Sequence, residues 1–301
     1  SRLSAPYLPL SFAQQRLWFL DQLESGSPQY NMPMTVVLSG SQFDLSAFQH
    51  ALAALVARHE ILRTQYHALD GEGVQVITPA REVPVLEIDL RHLPLKDAEE
   101  QAVRLAAADA KKPFDLKQDL MLRASVVHLH QGRSMVLFNM HHIATDGWSM
   151  TLLRQEFAAL YQAFSKQQAS PLPALSLQYG DYAVWQRTHL QGAGLQAQQC
   201  YWSRQLAELP PLHSLPTDRA RPQHQSFAGA VYTSQLDAET TRQLQALCQQ
   251  EGATLFMGLH AAFSVLLSRF SADVGEGTVQ DIVIGTPIAN REHSDLASII
   301  G

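Results

Sequence analysis

The chain has 301 residues, of which 46% are hydrophobic and 17% charged, and its formal net charge is −6. These values are typical of a globular protein with one large domain or two lobes that each have a core. The negative charge argues against a surface for nucleic acids or anionic membranes, and no apolar stretch approaches the ~20 residues of a membrane span. The two cysteines, Cys200 and Cys248, match no metal or redox spacing, so we expect reduced thiols in a cytoplasmic protein.

Helix and strand patterns alternate in the first third of the sequence. Apolar residues at helical spacing predict a helix in SFAQQRLWFLDQLESGS, with Ser11 as its N-cap. The elements predicted after it are, in order, a strand in YNMPMTVVLSG, an amphipathic helix in LSAFQHALAALVARHE, strands in ILRTQYHAL and VPVLEIDL around a Gly-Glu-Gly turn, and a helix in DAEEQAVRLAAADAKK that ends before Pro113.

The middle of the sequence contains a predicted hairpin and the clearest domain boundary. LMLRASVVHLH and SMVLFNMHH read as two strands joined at Gln131-Gly132-Arg133, and a long helix is predicted in WSMTLLRQEFAALYQAFSKQ. The Pro/Ser-rich stretch QQASPLPALSLQ follows, so we expect one domain over residues 1–175 and a second over residues 176–301.

Beyond this boundary, four helices and two strands are predicted. The helices are in YGDYAVWQRTHL, LQAQQCYWSRQLAEL, AETTRQLQALCQQEG and TLFMGLHAAFSVLLSRFS, and the strands are in FAGAVYTSQL and DIVIGTPIA. Strands interleaved with helices throughout the chain predict an α/β or α+β protein with two lobes.

The stretch MHHIATDGWSM, residues 140–150, joins the end of an apolar strand to the start of a helix. Neighbouring side chains of a strand point to opposite faces, so we expect His142 to share a face with Phe138 and His141 to share one with Asn139. Only one of the two histidines then faces any given site. A histidine at the rim of a sheet, beside the N–H groups of a helix N-terminus, can act as a base next to oxyanion donors.

Two other interpretations of the histidine pair are open from the residues alone. A histidine at a strand end is most often structural, and an Asp-Gly pair is most often a plain turn. A zinc site is the other alternative, since four histidines fall on one hairpin: His128, His130, His141 and His142. Zinc needs converging ligands, usually with a carboxylate or cysteine among them, so we expect no metal here.

The pattern HHxxxDG in MHHIATDGWSM resembles the core motif of the condensation domains of nonribosomal peptide synthetases. One seven-residue motif is weak, but four other segments resemble motifs of the same family and occur in its order. These segments are LSFAQQRLWFLDQLESGSPQYNMP, RHEILRTQY, QYGDYAVWQR and DIVIGTPIANR. The first helix and HHIATDGWS resemble the subtype that joins an L-configured donor to an L-configured acceptor.

The resemblance implies a fold of two lobes, each like chloramphenicol acetyltransferase, that meet in a V with the site on a tunnel between them. Members of the family are longer than this chain, which begins at Ser1 and stops at Gly301. We therefore expect a C-terminally truncated piece with an incomplete second lobe, and the activity of such a piece is left open.

The resemblance also implies roles for three residues of the central motif. His142 is the expected catalytic group, either as a base or as a residue that orients the attacking amine, and the sequence does not separate these roles. Gly147 is expected to leave room for a phosphopantetheine arm and to offer its N–H to an oxyanion. His141 is expected to be a satisfied core residue.

Asp146 is expected to be structural, because in the family this carboxylate points away from substrate and pairs with an arginine. Arg291 in PIANR is the preferred partner, and Arg63 and Arg16 are the alternatives. Such a pair would tie the two lobes together across the cleft.

The implied reaction is peptide-bond formation, in which the amine of one carrier-bound aminoacyl thioester attacks the thioester carbonyl of another. The partners are donor and acceptor peptidyl carrier proteins, which hold substrates on 4′-phosphopantetheine, and an adjacent adenylation domain. The domain itself is expected to bind no cofactor, metal, nucleic acid or membrane. Two other functions stay open: an acyltransferase of the same fold with a fatty-acyl or CoA-borne donor, and a non-catalytic interaction module.

Overall fold

The computed structural model describes residues 7–39, 43–209, 215–223, 229–271, 281–291 and 293–301. Contacts group the described residues up to Gly194 with Ala289–Gly301 in a first compact unit, and Leu195–Ile288 in a second. Residues 176–194 pack with the first unit, where the main-chain N–H of Phe12 donates to Gln186 Oε1 at 2.9 Å. The division into lobes at residue 175 stays a prediction.

Helices and strands mix in the first unit as the sequence predicts. Its strands are β1 (Leu8–Pro9), β2 (Asn31–Leu38), β3 (Thr64–Leu69), β4 (Glu72–Ile77), β5 (Val85–Asp89), β6 (Leu122–His128) and β7 (Ser134–His141). Its helices are α1 (Phe12–Leu23), α2 (Leu45–Arg58), α3 (Leu95–Ala110), α4 (Gly147–Ser165) and α5 (Tyr179–His189). The mixed α/β class is therefore confirmed. Ser11 is confirmed as the N-cap of α1, where its hydroxyl accepts from Gln14 N.

Two sheets organise the first unit, a four-stranded sheet in the order β2-β7-β6-β5 and a three-stranded sheet in the order β1-β4-β3. The predicted β6–β7 hairpin is confirmed, and its turn uses Gln131 and Gly132 at φ of 60° and 66°. β7 lies between β2 and β6, so its C-terminal end carries the two histidines to the rim of the larger sheet.

The core of the first unit lies between β7 and the helices α2 and α4. The Phe138 ring lies 6.2 Å from Phe48 of α2 and 5.1 Å from Phe157 of α4, measured between ring centroids. On the opposite face of β7, Asn139 Nδ2 donates to the carbonyl of Asp109 near the end of α3 at 2.7 Å. The sheet is therefore covered on both faces, as the apolar sequence of β7 predicts.

The second unit contains the helices that follow residue 194. α6 (Gly192–Gln205) runs across the division, and α7 (Ala238–Gln250) and α8 (Leu255–Phe270) pack together at Gly258 and Cys248. No single helix among the described residues is long and apolar enough to cross a membrane. The pair α7 and α8 reaches that length and composition only when taken together, with a bend of 108° between them.

Two strand predictions are wrong, and one strand was missed. β4 was not predicted, although it pairs with β3 across a turn at Asp70 and Gly71, whose φ angles are 51° and 85°. The described residues 229–236 and 281–289, predicted as strands, form no strand here. Val231 and Tyr232 are 93% and 92% exposed, so these β-favouring side chains have no sheet neighbours to pack against.

A buried ionic cluster joins α2 to α4. His59 Nε2 lies 2.6 Å from Glu156 Oε2, and Arg58 Nε donates to both carboxylate oxygens at 3.1 Å. Burial alone would raise the pKa of Glu156, but the hydrogen bond from His59 and the charges of His59 and Arg58 outweigh it and hold that pKa below its usual value. The carboxylate therefore stays ionised where it binds Arg58 and the ring of His59.

We predict that Glu156→Gln lowers the free energy of unfolding by about 3 kcal/mol, because it leaves the Arg58 guanidinium and the buried ring of His59 without their charged partner. Since the folded-state pKa of Glu156 is lowered, its contribution to the free energy of unfolding is present above pH 4.5 and is lost as the pH falls below that value. Urea denaturation at several pH values measures both effects. Glu100→Gln is the control, because the Glu100 side chain is exposed on α3. An equal loss of unfolding free energy in both variants contradicts the prediction.

Candidate active site

The turn between β7 and α4 is fixed by hydrogen bonds at its first residues. The N–H of His142 donates to the carbonyl of Tyr30 at 2.8 Å, and that of Ala144 donates to the carbonyl of His141 at 3.0 Å. The N–H of Ile143 donates to the ring Nδ1 of His141 at 3.1 Å. The chain therefore reverses tightly after β7, and α4 begins at Gly147.

His141 is part of the core. Its residue is 3% exposed, and its ring lies 6.3 Å from the Tyr30 ring and 6.0 Å from the Phe114 ring. Because Nδ1 accepts a hydrogen bond, the ring proton belongs on Nε2. Burial, and secondarily the charge of His142, lowers the pKa of His141 to about 4. The ring is therefore neutral near neutral pH and closes the turn.

His142 is exposed, and a hydrogen bond assigns its tautomer. Its Nδ1 lies 2.7 Å from the carbonyl oxygen of Thr145. A carbonyl oxygen only accepts, so Nδ1 must carry the ring hydrogen, and the neutral ring then has its lone pair on Nε2. The turn thus presents an imidazole nitrogen that can accept a proton or a hydrogen bond.

A buried polar network supports the turn from below. Gln14 Nε2 donates to the hydroxyl of Tyr66 at 3.2 Å and to Gln75 Oε1 at 3.1 Å, while the Tyr66 hydroxyl reaches the carbonyl of Ile143 at 3.4 Å. Burial raises the pKa of Tyr66, so the hydroxyl stays protonated. The sequence did not reveal these contacts, because they join α1, β3 and β4 across long separations.

Asp146 caps α4 rather than facing the exposed ring of His142. Its Oδ1 accepts from the Ser149 N–H at 2.7 Å and from the Ser149 hydroxyl at 2.6 Å. The same oxygen lies 3.4 Å from Nη2 of Arg291. Both Asp146 and Arg291 belong to the first compact unit, so this ion pair forms within that unit.

The two alternative partners of Asp146 make other contacts or face solvent. Arg63 donates to the carbonyls of Val56 and Thr78 and lies 3.7 Å from Glu60. Arg16 is exposed on α1.

Arg291 also holds the last described segment, 293–301, against α4. Its Nη1 donates to the carbonyls of Leu296 and Ile299, both at 2.6 Å, and its Nη2 donates to the carbonyl of Gly301 at 2.9 Å. Ile299 and Ile300 are 3% and 0% exposed in the core of the unit. The guanidinium therefore closes a turn at the N-terminus of α4.

Gly147 is exposed at the first position of α4. A Cβ atom built on it meets no heavy atom within 4 Å, so the space beside its backbone is open. The N–H groups at a helix start lack intrahelical partners and carry partial positive charge. This end of α4 therefore offers donors and free space close in sequence to His142.

The other two histidines of the hairpin have hydrogen-bond partners. His128 binds Glu87 at 2.6 Å and Ser134 at 3.0 Å, and His130 lies 2.6 Å from the carbonyl of Leu93. Within the described ranges, no group of three histidine, cysteine, aspartate or glutamate side chains is arranged to hold a metal ion. The structure therefore gives the zinc alternative no support.

The family of the chain follows from comparison with known proteins. Residues 5–301 match the condensation domain family. The chain belongs to this family. This condensation domain is 45% identical over 295 residues to a linear gramicidin synthase protein of Brevibacillus parabrevis, covering 98% of the chain and 6% of that protein. It is 40% identical over 294 residues to the phosphinothricin tripeptide synthetase PhsC of Streptomyces viridochromogenes, covering 98% of the chain and 26% of that protein.

Solved structures share the fold of this condensation domain. The X-domain from teicoplanin biosynthesis superposes with a TM-score of 0.84 at 27% identity, over 100% of this chain and 64% of that one. The first condensation domain of the calcium-dependent antibiotic synthetase gives a TM-score of 0.75 at 22% identity, over 90% of this chain and 63% of that one. This condensation domain spans less than two thirds of either solved chain.

We predict that His141 makes the stability of the domain depend on pH between 6.5 and about 4. In the unfolded chain His141 binds a proton more readily than in the folded protein. The stability that is present above pH 6.5 is therefore lost as the pH falls, by about 3 kcal/mol at most. The slope of the free energy of unfolding against pH reports how many more protons the unfolded chain binds. In His141→Gln this number should fall by about one across that range, as measured by urea denaturation. His92→Gln, at an exposed position, should keep the original slope, and equal slopes in all three proteins contradict the prediction.

Proposed function

We propose that this domain forms the peptide bond between two carrier-bound aminoacyl or peptidyl thioesters in nonribosomal peptide synthesis. The observation that carries the proposal is the bond from His142 Nδ1 to the Thr145 carbonyl, which leaves Nε2 as an exposed acceptor. Family membership and the synthetases among its relatives support the same reaction class.

The chemistry requires orientation and one proton acceptor. An α-amine has a pKa of about 8, so part of it is already neutral near neutral pH. As its nitrogen bonds to the donor carbonyl, it gives a proton to His142 Nε2. The C–S bond then breaks and releases a thiolate, which takes that proton from Nε2 to become a thiol. Near-attack alignment supplies about 7–11 kcal/mol, and a placed base contributes about 10²–10⁴-fold.

Gly147 and Asp146 serve the same step in different ways. The N–H of Gly147 at the start of α4 is the proposed donor to the developing oxyanion, and the open space beside it admits the phosphopantetheine arm. Asp146 is a structural residue, because its Oδ1 is bound to Ser149. Arg291 supports Asp146, and His141 supports the turn.

The partners follow from the same proposal. Donor and acceptor peptidyl carrier proteins bring the substrates on 4′-phosphopantetheine, an adenylation domain lies adjacent, and the system works in the cytoplasm. The subtype is an L-donor and L-acceptor domain. Residues 1–175 are proposed as one acetyltransferase-like lobe, and residues 176–301 as part of a second. The names of the relatives, which are peptide synthetases, support this setting.

An interaction module is a second candidate function. One observation favours it: the X-domain that shares this fold was also solved in a complex with OxyB, and that chain superposes here with a TM-score of 0.76 at 28% identity. Such a module would bind a partner protein and make no peptide bond. The intact His142, Asp146 and Gly147 favour the enzyme instead.

We predict that His142→Ala lowers the rate of dipeptidyl thioester formation by about 10²–10⁴-fold. The assay uses the full-length protein with donor and acceptor carrier proteins loaded with aminoacyl groups, and follows the product thioester by mass spectrometry. The melting temperature should change little, because the side chain is exposed. His189→Ala on α5 is the control and should retain the rate.

The pH–rate profile separates the roles of His142. If His142 is the base, the variant loses an inflection of the wild-type profile together with the rate. A lower rate with the inflection retained contradicts the base and leaves an orienting hydrogen bond. Wild-type protein that binds a partner but forms no product contradicts the proposed reaction and supports the interaction module.

A further inference from the structure

The direct contact between Asp146 and Arg291 is long. A single pair of atoms, Arg291 Nη2 and Asp146 Oδ1, lies 3.4 Å apart, beyond the distance of a strong charge-assisted hydrogen bond. The hydroxyl of Ser149 lies between them, 3.1 Å from Arg291 Nη2 and 2.6 Å from Asp146 Oδ1. The shorter path between the two charges therefore runs through Ser149.

The valence of the hydroxyl decides the direction of each bond. Ser149 Oγ has one hydrogen, and it faces two acceptors, Asp146 Oδ1 at 2.6 Å and the carbonyl of Gly301 at 3.3 Å. The charged and closer carboxylate takes the hydrogen. The two oxygen lone pairs then accept from Arg291 Nη2 at 3.1 Å and from the Gly301 N–H at 3.0 Å.

The hydrogen bonds of the Ser149 hydroxyl are buried, which raises the cost of losing them. Ser149 is 0% exposed, and the Arg291 side chain is 9% exposed, so water does not compete freely for the same groups. An unmade hydrogen bond in such a place costs the desolvation of its donor or acceptor. All the bonding capacity of the Ser149 hydroxyl is used by three partners. One is Asp146 at the cap of α4, and the others are Arg291 and Gly301 near the C-terminal end of the chain.

We propose that Ser149 is a positioning residue that couples Arg291 to Asp146 and thereby holds the N-terminus of α4 beside His142. The coupling rests on the contacts above. Its consequence for the reaction rests on the proposed function, because it is Gly147 at this helix end that meets the oxyanion there.

Stability measurements test the coupling by a double-mutant cycle. Asp146→Asn keeps an N-cap residue but removes the charge, and Arg291→Gln removes the guanidinium. In the wild-type background we expect the pair to be coupled by about tenfold in the unfolding equilibrium constant. In the Ser149→Ala background we expect that coupling to fall to about twofold or less.

Kinetics of the full-length protein test positioning. Ser149→Ala should lower kcat by about tenfold, leave the KM for the loaded acceptor carrier protein unchanged, and retain the wild-type shape of the pH–rate profile. A purely structural role would lower stability without changing kcat of the folded protein. Ser165→Ala is the matched control, because it removes an exposed hydroxyl at the other end of α4, where Ser165 donates to the carbonyl of Tyr161.

Each result has a separate meaning. Full Asp146–Arg291 coupling in the Ser149→Ala background overturns the proposal, because the direct ion pair then carries the interaction. Wild-type kcat in Ser149→Ala overturns positioning. Absence of product from the wild-type protein contradicts the proposed function instead, and the stability cycle still decides the coupling.

Discussion

The hydrogen bond of 2.7 Å between His142 Nδ1 and the Thr145 carbonyl is the constraint on which the site depends. It decides which nitrogen carries the hydrogen, and therefore which nitrogen can receive one. The bond joins residues three positions apart, so it exists only while the turn between β7 and α4 keeps its shape. Every group that fixes this turn thus helps to set the orientation of the His142 ring.

Two sets of contacts hold the turn at its two ends. At the β7 end, the neutral ring of His141 accepts the Ile143 N–H, and the buried hydroxyl of Tyr66 reaches the carbonyl of the same residue. At the α4 end, Asp146 caps the helix through Ser149. The two histidines therefore have different roles, because the buried ring of His141 shapes the turn that orients the exposed ring of His142.

Much of the fold was predictable, because periodic apolar patterns are local. The helices from α1 to α8 and the β6–β7 hairpin follow from residues close in sequence, and the face of β7 occupied by Asn139 follows from strand parity. β4 escaped prediction because its alternation is interrupted by Gly73 and by Gln75, a polar residue that is 1% exposed. Residues 229–236 and 281–289 favour strands by composition, but a strand also needs a neighbour.

The site was predictable in its residue types and less so in its connections. The resemblance of HHxxxDG to a family motif led us to propose a site at His142, Asp146 and Gly147. PIANR pointed to Arg291, which contacts Asp146. Ser149 was missed, although Asp is a favoured N-cap residue and accepts from an N–H two or three positions later. Glu156 was missed as well, although a carboxylate among the apolar residues of α4 suggests a buried partner. Side-chain networks depend on distances that only the folded chain sets.

The tautomer of His142 is the most direct test of this account. Nitrogen-15 NMR of histidine-labelled protein, in mildly alkaline solution where imidazoles are neutral, reports which ring nitrogen bears hydrogen. The spectrum of His142→Ala assigns the signal by its loss. The account predicts a protonated Nδ1 and a bare Nε2 for His142, and a protonated Nε2 with a bare Nδ1 would contradict it.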